Sequence, residues 1–145
     1  MACSNSLLKS CQKLFKMMSD SKTFENVMKN VQVTAASHGK VVCEVTVEKD
    51  HLNRNGGMHG GFTATLVDQI TAIAVMTKEG QLPGVSVDLN VSYLNGAKAG
   101  DLLEIRSECL KFGKSLAFTT VDILRKSDGT LIATGRLTNH ISGTY

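Results

Sequence analysis

The stretch HGGFTATLVDQITAIAVMT, residues 59–77, decides how the rest of the chain is read. Between Gly60 and Thr77 the only charged side chain is Asp68. Leu66, Ile70 and Ile73 are joined by Ala64, Val67, Ala74 and Val75, so a helix here is apolar most of the way round. Such a helix belongs inside a core. A carboxylate halfway along it costs free energy when charged unless a partner or a chemical task offsets that cost. Asp68 is therefore the first candidate functional residue. The segment is near the lower length limit for a membrane span, and Asp68, Gln69 and four threonines argue against that reading.

Upstream of this helix, HLNRNGGM at residues 51–58 is a Gly/Asn-rich loop that delivers the chain to it. Before that loop, residues 31–36 lead through His38-Gly39 into residues 40–47. There Val41, Cys43, Val45 and Val47 alternate with Val42, Glu44 and Thr46, which predicts an antiparallel hairpin. Residues 21–29 read as a short helical turn with Thr23 as its N-cap. Nearer the N-terminus, Leu7, Leu8, Cys11, Leu14, Phe15 and Met18 share one helical face opposite Lys9, Lys13 and Lys16. This predicts an amphipathic helix packed on the domain. The stretch is acid-free until Asp20, as a mitochondrial presequence would be, but it lacks arginine.

Downstream, the central helix should end near Lys78-Glu79-Gly80, with Leu82-Pro83-Gly84 turning the chain. Everything after Pro83 reads as strand. Val87, Leu89, Val91 and Tyr93 alternate with the polar Ser86, Asp88, Asn90 and Ser92; residues 102–111, 116–124 and 131–139 follow, linked by Phe112-Gly113-Lys114-Ser115 and Ser127-Asp128-Gly129. No helical pattern separates these strands, so a consecutive antiparallel meander is expected. The fold class is α+β: one long central helix wrapped by a curved antiparallel sheet of about five to six strands, with an N-terminal helix. A single domain over residues 1–145 is expected, with residues 1–30 a helical segment packed on it. A sheet curled round one helix leaves open edges, so the protomer should associate.

The 145 residues, 42% of them hydrophobic, suffice for one real core. A net charge of +3 with lysines spread along the chain is too weak for nucleic acid and compatible with an anionic small ligand. Cys3, Cys11, Cys43 and Cys109 show no C-x-x-C spacing and no secretory signal precedes them. The expectation is a reducing compartment without disulfides or zinc. His38, His51, His59 and His140 have no ligand spacing, so no metal site is expected.

Asn53, Gly56, His59, Gly60 and Gly61 spell N-x-x-G-x-x-H-G-G, Asp68 follows seven residues after the second glycine, and Ser86 lies on the strand GVSVDLNVSYL. This combination resembles the hotdog-fold acyl-CoA thioesterases over nearly the whole chain. H-G-G alone would say little; the acid on the helix ahead of that strand makes the match specific. Arg54 and Asn55 stand where many relatives carry proline or an apolar residue, and Asn95-Gly96 stands where a proline usually precedes the Ala97-x-x-Gly100 turn. Both departures loosen loops near the expected mouth.

The resemblance implies hydrolysis of medium- to long-chain fatty acyl-CoA to free fatty acid and coenzyme A. It implies a homodimer assembling to a homotetramer, with long helices antiparallel across the interface so that the acid of one subunit meets the glycine of the other. Asp68 is then general base or nucleophile, Ser86 helps place water, and Asn53, His59 and Gly60 handle the carbonyl. No cofactor is required, coenzyme A being part of substrate and product. The coenzyme would lie along Ser86, along Tyr93, Leu94, Asn95, Gly96, Ala97 and Lys98, along the Lys111, Phe112, Gly113, Lys114 and Ser115 turn, and on His140. The resemblance also suggests a START-domain lipid-transfer protein as partner and a cytosolic location, with the mitochondrion as a second.

These roles have physical sense. At a helix start the Gly60 N–H is unpaired, the helix dipole favours negative charge, and glycine lets a thioester approach closely. By helix rise Asp68 lies about 12 Å from Gly60, too far to share one carbonyl within a chain. Each residue also has a plainer reading. Gly60 could serve packing, His59 could cap the loop, Asn53 could close an Asx turn, Ser86 could be an ordinary serine on a polar strand face, and Lys111 and Lys114 could be solvated rather than phosphate ligands. Two other functions fit the chain. One is a non-catalytic acyl-CoA binding or interaction module. The other, a hotdog-fold enoyl-CoA hydratase, would want an Asp and a His together on the motif loop and helix start, whereas the acid here sits mid-helix.

Overall fold

A computed structural model describes residue 2, residues 4–78 and residues 84–141. Helix α1 (Asn5–Ser19) precedes the hairpin of β1 (Gln32–Ser37) and β2 (Lys40–Thr46). The apolar segment forms α2 (Gly60–Met76), followed by β3 (Val85–Tyr93), β4 (Leu102–Phe112), β5 (Leu116–Arg125) and β6 (Leu131–His140). All six strands join one antiparallel sheet. This is the expected α+β architecture, a long helix covered by one sheet.

Leu66, Val67, Ile70 and Ile73 of α2 are fully buried, and each contributes about 1.5–3 kcal/mol relative to exposure. The inner face of the sheet meets them with Val41, Val45, Leu103, Ile105, Val121 and Ile123. The helix also buries threonines, whose hydroxyls would be costly without acceptors. Thr65 and Thr71 donate to the carbonyls four residues back, Gly61 and Val67, at 2.8 and 2.7 Å. Helix α1 caps on Ser4, buries Cys11 and Phe15, and lays Leu7, Leu8, Leu14 and Met18 on the same core while Lys9, Lys13 and Lys16 face solvent. Its Gln12 Nε2 donates to the Val33 carbonyl at 2.9 Å, engaging a backbone acceptor of the edge strand β1. Among the described residues no helix is long and apolar enough to cross a membrane. Cys11, Cys43 and Cys109 are buried free thiols, each pushed up from its ordinary pKa by burial; Cys3 lies outside the described residues.

The strand order β1-β2-β4-β5-β6-β3 corrects the expected consecutive meander. Strands β4, β5 and β6 do follow one another, but β3 lies at the far edge beside β6, and β4 fills the place between β2 and β5. Side-chain character explains the exchange. Strand β4 turns Leu103, Ile105, Ser107 and Cys109 into the core, as a central strand must, whereas β3 has only Val91 packed on the core. A second correction concerns Thr23, whose side chain makes no cap bond to the 3₁₀ turn Phe24–Met28 and instead donates to Glu25. The hairpin at His38-Gly39 forms as expected, with Gly39 at φ 78, a backbone region that favours glycine. Thr77 closes α2, and Glu79, Gly80, Leu82 and Pro83 of the expected helix end and turn lie outside the described residues.

Candidate active site

The approach to α2 is a tight loop built on Asn53. Its Oδ1 accepts the N–H groups of Asn55 at 2.8 Å and Gly57 at 3.3 Å, while Gly56 turns the chain at φ 85. Just upstream, buried His51 stacks on Phe62 with ring centroids 3.8 Å apart and accepts the His59 N–H on its carbonyl at 2.8 Å. The loop is thereby docked on the first turn of the helix. His59 is the N-cap: its Nδ1 accepts the Gly61 N–H at 2.8 Å, so a neutral ring carries its proton on Nε2. The plainer readings of Asn53 and His59 thus hold locally, and each keeps a donor, Nδ2 or Nε2–H, for a further acceptor. Among the described residues the Gly60 N–H makes no hydrogen bond. The Tyr93 hydroxyl donates to the Gly60 carbonyl at 3.1 Å, and its ring lies so near that a Cβ on Gly60 would come within 3.3 Å of it.

Two turns along α2, Asp68 is half-buried rather than enclosed, because the strand beside it is the open edge β3. Both carboxylate oxygens are held: Oδ1 accepts Ser86 Oγ–H at 2.6 Å and Oδ2 accepts Gln69 Nε2–H at 2.9 Å. A carboxylate has about four lone-pair sites, so room remains for water. Ser86 reaches Asp68 only because β3 is irregular. The register steps from Ser86↔Asn139 to Asp88↔Thr138, leaving Val87 as the extra residue of a bulge. Directly paired residues share a face, so Ser86 lies with Leu89, Val91 and Tyr93, whose partners Leu137, Gly135 and Ala133 are buried. Strict alternation would have put Ser86 outward with Asp88, Asn90 and Ser92. That expectation is corrected by the bulge.

The site residues therefore fall into two groups at opposite ends of β3. At one end stand Asp68, Gln69 and Ser86, with His140 paired to both Val85 and Leu116, and with the exposed Lys111, Lys114 and Ser115 on the β4–β5 turn around Phe112 and Gly113. At the other stand Asn53, His59 and Gly60 with Tyr93, Leu94, Asn95, Gly96, Ala97 and Lys98. Here Met58 N–H donates to the Ala97 carbonyl at 2.8 Å, and Gly57 bridges to Lys98. One chain does not bring the two groups together. Between them β3, among the described residues, pairs only with β6 and exposes Val85, Val87, Leu89 and Tyr93, Val87 to 61%. Gln69 and the Tyr93–Gly60 bond escaped the sequence reading. A residue next to an acid on a helix points about 100° away from it, so no spacing rule would pair them. Among the described residues no cluster of three His, Cys, Asp or Glu side chains could hold a metal.

Residues 55–132 match the family described as the thioesterase superfamily. In sequence the chain is similar to acyl-coenzyme A thioesterase 13 of Homo sapiens, 45% identical over 136 residues, covering 94% of this chain and 97% of that protein. In structure it is similar to zebra fish thioesterase superfamily member 2, 49% identical with a TM-score of 0.90, covering 93% of this chain and 98% of that one. It is also similar to a hypothetical thioesterase protein of Streptococcus pneumoniae solved with coenzyme A, 28% identical with a TM-score of 0.80, covering 92% and 98%.

Proposed function

This chain belongs to the thioesterase superfamily and is an acyl-CoA thioesterase, and from that premise we propose that it hydrolyses medium- to long-chain fatty acyl-CoA in a site shared between two subunits. The observation that carries the shared site is the division of its residues between the two ends of an edge strand that, among the described residues, is paired on one side only and exposes apolar side chains. A two-fold pairing of β3 with its copy runs the strands antiparallel, so the Ser86 end of one chain meets the Tyr93 end of the other. Each such pairing makes two equal sites. In each, Asp68, Gln69, Ser86 and the Lys111–Lys114 turn come from one subunit, and Asn53, His59, Gly60 and the loop after Tyr93 from the other. The edge exposes Val85, Val87, Leu89, Tyr93 and Leu94, which supports its burial in a dimer.

The chemistry follows from these groups. Asp68 takes a proton from a water whose oxygen attacks the thioester carbonyl, while Ser86 and Gln69 fix the carboxylate plane and leave lone pairs facing the water. Charge that develops on the carbonyl oxygen meets the Gly60 N–H at the positive end of α2, with Asn53 Nδ2 and His59 Nε2–H as further donors. Collapse of the tetrahedral intermediate breaks the carbon–sulfur bond; the thiolate of coenzyme A takes the proton held by Asp68, which restores the base, and the fatty acid loses its own proton to solvent and leaves as carboxylate. Lys111 and Lys114 suit the coenzyme's phosphates. Three buried free thiols suit a reducing compartment, which supports the cytosol as its place.

Thiol release from a series of acyl-CoA chain lengths tests the reading directly. We expect turnover to rise toward medium and long chains and Asp68→Asn to lose nearly all of it while folding and associating as wild type does. A folded Asp68→Asn protein with wild-type kinetics would sink the mechanism, and binding of acyl-CoA without turnover by the wild type would favour a binding module.

A further inference from the structure

Arg125, at the end of β5, sends its guanidinium to three separate acceptors. Nε donates to Asp101 Oδ2 at 3.2 Å, Nη1 to Asp128 Oδ2 at 3.0 Å and Nη2 to the Gly96 carbonyl at 2.7 Å. The same Asp101 oxygen accepts the Lys98 N–H at 3.0 Å, and Asn95 Nδ2 donates to the Leu131 carbonyl at 2.8 Å. The segment between β3 and β4 has no helix or strand of its own; the Arg125 bonds to Asp101 and Gly96 tie it to β5, and the Asn95 bond ties it to β6. On its other side it grips Met58, the residue before His59, through the Ala97 carbonyl. Leu94, Asn95, Gly96 and Ala97 form one wall of a cleft of about 360 Å³ that also takes in Gly60, Thr63 and Tyr93. Gly96 supplies no packing to hold that wall, since a Cβ there would meet nothing within 4 Å.

We propose that Arg125 is a positioning residue of the acyl-CoA site: its fork onto Asp101 and the Gly96 carbonyl holds the cleft wall beside Gly60 and so sets how firmly the coenzyme arm is bound. This rests on the thioesterase reading. An isolated surface ion pair would contribute little. Two features set Arg125 apart: its side chain is only 22% exposed, and its third bond goes to a backbone carbonyl of the wall itself. Lysine carries the charge but has no planar fork to span the three acceptors.

The test compares Arg125→Gln and Arg125→Lys with wild type, in the full chain, by thiol release from acyl-CoA and by product inhibition with free coenzyme A. Both variants should raise KM and the coenzyme A inhibition constant together, by about fivefold to tenfold, with kcat changed by less than about twofold. A role in general stability alone would not split KM from kcat in this way. Unchanged KM, a lysine variant indistinguishable from wild type, or a fall in kcat at unchanged KM would each overturn the proposal. Should both variants fail to fold, Asp101→Asn weakens the same fork and must raise KM alike. Should wild type release no thiol, the thioesterase reading falls instead, and the clamp is read by amide hydrogen exchange. Exchange must then quicken at residues 96–101 of Arg125→Gln and not in α2; unchanged exchange there refutes the clamp.

Discussion

Two inactive preparations, one Asp68→Asn and one Asn53→Asp, should regain activity when their subunits exchange. Each substitution spares the fold. Asp68→Asn keeps the shape and an oxygen for the Ser86 hydroxyl now at 2.6 Å, but removes the proposed base. Asn53→Asp keeps the Oδ1 that accepts the Asn55 and Gly57 N–H groups, but removes the Nδ2 donor. Loss of a general base lowers turnover by roughly 100- to 10,000-fold, and loss of a carbonyl donor by roughly 100- to 1000-fold, so both parents are nearly silent. In a mixed dimer one site collects the intact Asn53 of one chain and the intact Asp68 of the other, while the second carries both lesions. Random reassortment makes about half the dimers mixed, each with one working site of two, so about a quarter of wild-type activity returns. Thiol release is followed after mixing, against each unmixed parent, with native mass spectrometry reporting exchange. Subunits that exchange while activity stays at the parental level would show that each site lies within one chain, and the argument from β3 would be refuted.

Replacing Lys111 and Lys114 together by glutamine should raise KM for acyl-CoA several-fold with kcat little changed, since phosphate contacts persist from ground to transition state; an unchanged KM would make them solvated lysines. Gly135→Ala should lower stability by about 1–3 kcal/mol, read as a fall in Tm. Its Cβ would come 2.8 Å from Val67 Cγ1 and 3.2 Å from the Asn90 carbonyl oxygen, and a β-branched side chain in a helix has little freedom to move aside. The Lys98 N–H, and after it the Arg125 guanidinium, hold the Asp101 carboxyl below its ordinary pKa. A depressed carboxylate stabilises the fold fully above its unfolded pKa and loses that contribution as pH falls through the folded value. The Tm advantage of wild type over Asp101→Asn should therefore be flat from neutral pH down to about pH 4 and vanish below it.

The central helix was legible because one acid in an apolar segment of that length leaves no other element to build. Strand positions were legible to within a residue or so, since alternation survives in each. What alternation cannot carry is neighbour order: it assigns faces, and β4 could be placed between β2 and β5 only by knowing which strand best fills the centre. Nor does it reveal a bulge. VSVDLN reads as unbroken alternation, yet one extra residue at Val87 turns Ser86 from the outer face to the acid. The apolar helix neighbours of Asp68 predict a place inside the core; it is half-buried because the strand beside it has no second neighbour among the described residues. The Arg125 fork adds to its local partner Asp128, three residues on, two acceptors 24 and 29 residues back, Asp101 and Gly96, and no local spacing announces that longer-range meeting.

The bare flank of β3 also bears on how activity scales with amount. When the reacting groups are divided between two copies, a lone chain has no working site, and the fraction of chains in dimers sets the specific activity. That fraction follows mass action. On dilution through the dissociation constant, turnover per chain should drop steeply at fixed substrate, and bound acyl-CoA, touching both copies, should hold the pair together to lower concentrations. Abundance of the protein and supply of its substrate would then jointly decide whether it works.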